Sequence, residues 1–164
     1  MNYRYLKSTD ADQLEDLIAL VENNLPDERW WVPIRPIIRE HFFDREWINF
    51  IGCFDGERLV AAAGLFLHEE AFRTSAEAAG LDPAVVAEVG RCMVRPSRRG
   101  ENLMLSMSGQ LKDSARAHGR EWLIAAVHPD NVAGRRSLER LGMEEKAEVV
   151  EAGIYPRAIY AMPL

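Results

Sequence analysis

VRPSRRGENLMLSMSGQL, residues 94–111, begins as a strand and ends as a helix, with the basic turn Arg98-Arg99-Gly100 between them. Val94 closes the strand-like run VVAEVGRCMV (85–94). Leu103, Met107, Leu111 and Ala115 recur at four-residue intervals, one face of a helix that Gly119 stops. A helix start presents N–H groups that have no intrahelical partner, and it carries about half a positive charge. A strand handing over to a helix through a glycine turn is therefore a natural place to hold an anion. Arg95, Arg98 and Arg99 gather at this turn although the chain has a net charge of −6. The residues leave two readings, a bound anion or a solvated basic turn. No Gly-Lys-Ser/Thr follows Gly100, which excludes a phosphate-binding Walker loop, and the glycines of a dinucleotide fingerprint are absent too.

Working outward, NYRYLK (2–7) alternates weakly as a first strand. Thr9 or Asp10 then caps a helix whose stripe is Leu14, Leu17, Ile18 and Val21. ERWWVPIRPIIREHFF (28–43) crowds aromatic and aliphatic residues around two prolines, which predicts a kinked or split helix. WINFIGCF (47–54) and RLVAAAGLFLHE (58–69) flank Asp55-Gly56-Glu57, a hairpin pattern. Residues 70–84 fit a loop or short helix. EWLIAAV (121–127) is a covered strand, Asp130 or Asn131 caps a helix that ends at Gly142, and two strands follow around 143–151 and 155–162. Such an order builds a mixed sheet with helices against it, one α/β or α+β domain over 1–164.

The chain has 164 residues, 48% of them hydrophobic and 28% charged, enough for one substantial core. No stretch reaches the ~20 apolar residues of a membrane span, and the first residues have no apolar signal-peptide segment, so a cytoplasmic protein without membrane insertion is expected. Acidic balance argues against nucleic acid as partner and suits a cationic small molecule or peptide amine. Cys53 and Cys92 make no disulfide framework, and both read as buried thiols. His41, His68, His118 and His128 are scattered, and no metal-ligand spacing appears.

Two stretches taken together carry a resemblance. Val94-Arg95-Pro96-Ser97-Arg98-Arg99-Gly100, and Asn131 followed by Ser137-Leu138-Glu139-Arg140-Leu141-Gly142-Met143, resemble the two signatures of the GNAT superfamily of N-acetyltransferases. The resemblance runs over nearly the whole chain. It implies a mixed, mostly antiparallel sheet of about seven strands flanked by four helices, and acetyl-CoA as co-substrate with no metal. By this resemblance the anion is the pyrophosphate of acetyl-CoA, wrapped by Arg99, Gly100, Glu101, Asn102, Leu103 and Met104. Asn102 stands where the family has a central glycine, and Met104 where it has a small residue. Asn is the non-glycine residue that best tolerates positive φ. The resemblance also puts the main chain of Cys92, Met93 and Val94 along the pantetheine arm and Asn131 near it, although a plain helix cap explains Asn131 equally well.

Acyl transfer from a thioester to an amine needs a deprotonated nitrogen, alignment and donors for the oxyanion. Glu88 interrupts an apolar strand six residues before Val94 and is the candidate base; a structural charge is the competing reading. Arg91, three residues on, faces away from Glu88 unless the strand bulges. The family's tyrosine acid is absent, because Leu138 occupies that position, and Tyr155 or Tyr160 could replace it. Trp30, Trp31, Phe42 and Phe43 suggest an aromatic-lined acceptor region, a core cluster or a homodimer surface. His68, at the end of a strand, is a further substrate-binding candidate. Glu88-Val89-Gly90-Arg91 also resembles the Glu-x-x-Arg of relatives that take longer acyl groups from acyl-CoA or acyl carrier protein. A non-catalytic acyl-CoA-binding protein is the remaining alternative.

Overall fold

The computed structural model describes residues 1–164. Seven strands form one sheet in the order β1-β2-β3-β4-β5-β7-β6. They span Asn2–Tyr5 (β1), Ile48–Asp55 (β2), Arg58–Phe66 (β3), Val86–Val94 (β4), Trp122–Val127 (β5), Glu144–Glu151 (β6) and Tyr155–Pro163 (β7). Every neighbouring pair is antiparallel except β4 and β5. The β2–β3 hairpin closes on Gly56, whose φ of +60° gives the two-residue turn the left-handed position it needs.

Five α-helices cover the sheet, one more than expected: Ala11–Glu22 (α1), Pro36–Glu40 (α2), Arg73–Ala78 (α3), Leu103–Ala117 (α4) and Val132–Arg140 (α5). The additional helix is α3, in the stretch read as loop or short helix. The aromatic segment is split, as its prolines predict. A 3₁₀ turn at Glu28–Trp30 and the short α2 flank irregular backbone around Pro33. Asp10 starts α1 indirectly: its carboxylate accepts the Lys7 N–H at 2.8 Å and both Arg4 nitrogens at 2.7 and 2.8 Å.

Alternating strand residues feed two cores. Leu103, Met107, Leu111 and Leu138 of α4 and α5 pack on Ile51, Leu65, Val89, Leu123 and Tyr160 on one face. Leu14, Leu17 and Ile18 of α1 and Ile38 of α2 pack on Phe50, Phe66, Val86, Met93 and Ile124 on the other. Glu88 shares its register line with Ile124 and Phe66, and so lies on the α1 face. Leu111 is fully buried at the centre of the α4 stripe. Leu111→Ala should therefore cost about 2–5 kcal/mol of unfolding free energy in urea titration.

Candidate active site

Strands β4 and β5 pair only at Val86–Trp122, Ala87–Leu123 and Glu88–Ile124, yet β4 continues to Val94 and β5 to Val127. Beyond Glu88 the two strands part, and the β5-facing edge of β4 has no strand partner. β4 also bulges here: Met93 pairs with Ala62 and Gly90 with Gly64, so Arg91 and Cys92 together oppose Ala63. Arg91 takes a left-handed φ of +52° in the bulge. The alternation of a regular strand is broken, and Arg91 reaches the α1 side. There its Nη1 donates to the Val32 carbonyl at 2.6 Å and its guanidinium lies 4.7 Å from the Trp31 ring centre.

Glu88 projects along β4 towards the bulge. A Cβ placed on Gly90 would lie 3.4 Å from Glu88 Oε1, an ordinary contact, and 3.1 Å from the Phe66 ring, a tight one, so the carboxylate lies beside the bare backbone of Gly90. The Glu88 carboxylate has no hydrogen-bond or ion-pair partner in the protein. Burial, then the nearby Glu151 charge, push Glu88 up to about 8, against an opposing pull from Arg91. Cys92 was expected in the core and is instead exposed, because the bulge turns it outward. Desolvation by the surrounding protein, with the Glu88 charge, pushes its thiol up to about 12. Cys53 is buried as expected.

At the other end of the cleft, the three arginines of the turn separate by role. Arg95 Nε donates to the Leu59 carbonyl at 2.8 Å. Arg98 bonds Asp55 at 2.8 Å and Glu101 at 2.8 and 3.0 Å. Arg99 is exposed and makes no ion pair. The Glu101 carboxylate is thus neutralised locally and held below its usual range by Arg98. Gly100 has φ +83° and Asn102 has φ +57°, ψ +30°. Asn102 does adopt the left-handed conformation that the glycine position requires. The N–H groups of residues 100 to 105 find no acceptor in the protein; the first helical bond is Ser106 N–H to the Asn102 carbonyl. Successive left-handed and helical positions of this kind form an anion-binding concavity. Leu103 is buried and Met104 packs against the α4-side core, so neither side chain occupies the loop's outer face. The free amides and the unpaired Arg99 fit a pyrophosphate.

Asn131 caps α5 by accepting the Gly134 N–H at 2.9 Å through Oδ1, which leaves its Nδ2 donor without a protein partner. Met93 is buried and Val94 half-buried on the parted strand. Above the α1 face, Glu22, Leu25, Glu28, Arg29, Trp31, Pro33, Ile154 and Tyr155 line a cavity of about 320 Å³. Trp31 and Tyr155 thus line one cavity together. Trp30 does not line the cavity; its ring stacks on His128, with centres 5.5 Å apart.

Two candidates fall elsewhere. Tyr160 is 1% exposed in the α4-side core, and its hydroxyl accepts Arg135 Nε–H at 2.9 Å. Strand alternation puts it on the face opposite Glu88. His68 stacks on Trp47 at 3.7 Å and accepts the Glu70 N–H at 3.2 Å, beyond the end of β3 and away from the parted strands. Packing and capping account for it. Sequence reasoning missed Arg157 and Glu151. Arg157 is 5% exposed on β7 and donates to the Arg29 carbonyl at 2.9 Å, and an arginine at an inward position of YPRAIYAMP was its one signal.

A family model described as the acetyltransferase (GNAT) family matches residues 13–143. The chain belongs to the GNAT family. Solved structures share its fold. The GNAT domain of S. lividans PAT superposes with a TM-score of 0.74 at 19% identity, over 99% of this chain and 89% of that one. Ribosomal-protein-alanine N-acetyltransferase from Brucella melitensis gives 0.73 at 19% identity, over 100% of both chains. The yncA structure from Salmonella typhimurium, which contains its cofactor acetyl-CoA, gives 0.73 at 15% identity, over 100% of this chain and 94% of that one. No curated protein matches the chain. Like other GNAT members, it is an acetyl-CoA-dependent acetyltransferase. No helix is long and apolar enough to cross a membrane.

Because Glu88 holds its proton in the folded state up to about pH 8, it favours folding most below the ordinary carboxylate range near 4.5. That contribution declines as pH rises to about 8. In thermal denaturation Glu88→Gln should gain on wild type between pH 5 and pH 8, and the gap should level off above about pH 8.

Proposed function

We propose that this acetyltransferase moves the acetyl group of acetyl-CoA onto the primary amine of a small molecule or peptide, by direct attack within a ternary complex. The observation that carries the reading is the parting of β4 from β5 immediately beyond Glu88. It leaves the β5-facing edge of β4 unpaired between Glu88 and the turn, which supports a cofactor running along that edge from the turn's free amides to the carboxylate.

In this reading the amides of residues 100 to 105 and the Arg99 guanidinium hold the pyrophosphate, and the main chain of Cys92, Met93 and Val94 bonds the pantetheine arm. Asn131 Nδ2 is the free donor at the far side. Bound acetyl-CoA supplies an activated thioester. Glu88 accepts a proton from the incoming ammonium, directly or through one water, so that the nitrogen lone pair can form the new C–N bond. The C–S bond breaks, coenzyme A departs with the electron pair, and the second proton shed by the nitrogen ends on the departing thiolate. A base with a pKa near 8 suits an amine better than an ordinary carboxylate would. The raised Cys92 thiol opposes a covalent acyl-cysteine and supports direct attack. Tyr155, on the same face as Glu88, is the proposed acid for the leaving thiolate. A thiol pKa near 8.5 makes that thiolate a fair leaving group even unaided.

The acyl carrier protein alternative needs an open basic patch. Arg95 and Arg98 are committed within the protein, which favours a coenzyme A thioester.

Two measurements test the reading. In calorimetry Arg99→Ala should weaken acetyl-CoA about 10–100-fold, the worth of one charge-assisted contact; unchanged affinity removes the assignment. The wild-type kcat/KM should climb with pH to a plateau just above about 8. Glu88→Gln should lose that limb and fall roughly 10²–10⁴-fold. An identical profile would rule Glu88 out as the base.

A further inference from the structure

Two arginines reach across the acceptor face without a carboxylate to pair with. Arg157, on β7, is 5% exposed. Its Nη1 donates to the Arg29 and Pro156 carbonyls at 2.9 and 2.6 Å. Arg91, in the β4 bulge, donates from Nη1 to the Val32 carbonyl at 2.6 Å. Both therefore end beneath the same short loop, 29–32, from strands on either side of the cleft. Neither belongs to any salt bridge of the protein. The remaining guanidinium nitrogens of both have no acceptor in the protein.

A buried cation without a counter-charge is costly, and folded proteins ordinarily pair it. Glu88, Glu151 and Glu22 share the neighbourhood of Arg91, and Glu151 that of Arg157, but none of them comes within salt-bridge distance of either arginine. Two more donors on the same side are also unpartnered. Trp31 Nε1 is buried without an acceptor, and so is His128 Nε2. His128 Nδ1 accepts the Asp130 N–H at 3.1 Å, so the hydrogen of the neutral ring sits on Nε2. The buried polar groups left without a partner on this side, Trp31 Nε1 and His128 Nε2, are thus donors, like the two guanidinium groups, and an anionic acceptor would meet them.

We propose that the acceptor substrate is a free amino acid, whose carboxylate is taken by Arg91 and Arg157 while its amine is presented to Glu88. This rests on the acetyl-transfer reading above and narrows its substrate class. One face then serves both ends of a zwitterion: the guanidinium pair receives the carboxylate, and the unpaired Glu88 receives the ammonium proton. The two ends of an α-amino acid are close together, as are the strand positions that meet them on β4. In this proposal the side chain extends towards the neighbouring cavity, whose lining joins Leu25, Trp31 and Tyr155 with the charged Glu22, Glu28 and Arg29. A peptide N-terminus offers no carboxylate at this distance, so the same constellation selects against it.

The test uses the full chain with acetyl-CoA and three matched probe sets: the twenty L-amino acids, their C-terminal amides, and the corresponding amines without the carboxyl group. Coenzyme A release is measured for each, and acetyl-CoA binding is measured separately by calorimetry. The expected result is that one or more amino acids are acetylated, with kcat/KM at least ~30-fold above the matched amide and amine, as for a buried charge pair that loses one partner. Arg91→Gln should collapse that ratio towards one through KM, while the variant's acetyl-CoA affinity stays at the wild-type value. If Arg157→Gln fails to fold, Arg91→Gln carries the test alone. Amides, amines or peptide N-termini acetylated as well as the acids would overturn the proposal and leave acetyl transfer standing. Acetyl-CoA binding without turnover of any amino acid would also overturn it. Loss of acetyl-CoA binding altogether would instead strike the underlying reading.

Discussion

The site depends on a refusal to pair. A parallel strand pair that stayed zipped from Val86 to Val94 would satisfy its own main chain and leave nothing for a ligand. Here the ladder ends at Glu88 and Ile124, while the two outer neighbours, β3 and β7, keep β4 and β5 in the sheet. The parted edges therefore remain rigidly placed although they lack each other. A ligand that lies between them inherits hydrogen bonds which the fold leaves open, and that makes the groove preorganised. The Arg91–Cys92 bulge works with this parting. One extra residue in β4 twists the strand at the place where it leaves β5, and it sends Arg91 to the α1 side.

The basic turn follows the same economy. Three arginines beside a helix start looked like a general attraction for anions, yet two of them hold the protein together. Arg95 fastens the strand exit to β3, and Arg98 ties Glu101 to Asp55. Without Arg98 the Glu101 carboxylate would stand uncompensated within the amide loop and oppose an incoming phosphate. Only Arg99 keeps its charge free. What the turn offers an anion is mostly main chain, with one guanidinium added. Asn102 preserves that main-chain shape by taking the left-handed conformation without a glycine.

Most of the architecture could be read from the residues because the strong periodic segments coincide with real elements. The Leu14–Leu17–Ile18–Val21 stripe became α1, and Gly119 and Gly142 end their helices with φ of +71° and +95°. The aromatic stretch was harder, since Pro33 and Pro36 remove donors but do not say where the pieces go. The main-chain loop and Glu88 were legible from motif and from a charge set in an apolar run. The bulge was not, because nothing in VGRCMV marks a residue as extra, and so Cys92 was assigned to the wrong side. His68 and Tyr160 failed for a related reason. Spacing gives the face a residue occupies only while alternation is unbroken, and it never gives the partner that already occupies the side chain, such as Trp47 or Arg135. Arg157 escaped because its importance lies in the lack of a counter-ion, which no sequence shows.

Glu88 ties stability and chemistry together through one carboxylate. No donor of the protein bonds to it, and burial disfavours its charge and so raises its pKa. Nearby Glu151 raises it further, while Arg91 opposes both. Were Arg91 to form a close ion pair with Glu88, the carboxylate would return towards its ordinary range and become a poor proton acceptor for an amine. The bulge avoids that outcome by sending the guanidinium to the Val32 carbonyl and the Trp31 ring. Arg91 thus stays near enough to moderate Glu88 without quenching it. The cost is a half-buried, desolvated cation held only by a carbonyl and an aromatic face, with no carboxylate in contact. A fold that accepts such a cost at the mouth of its groove, and repeats it with Arg157, has given up stability where an anion can restore it.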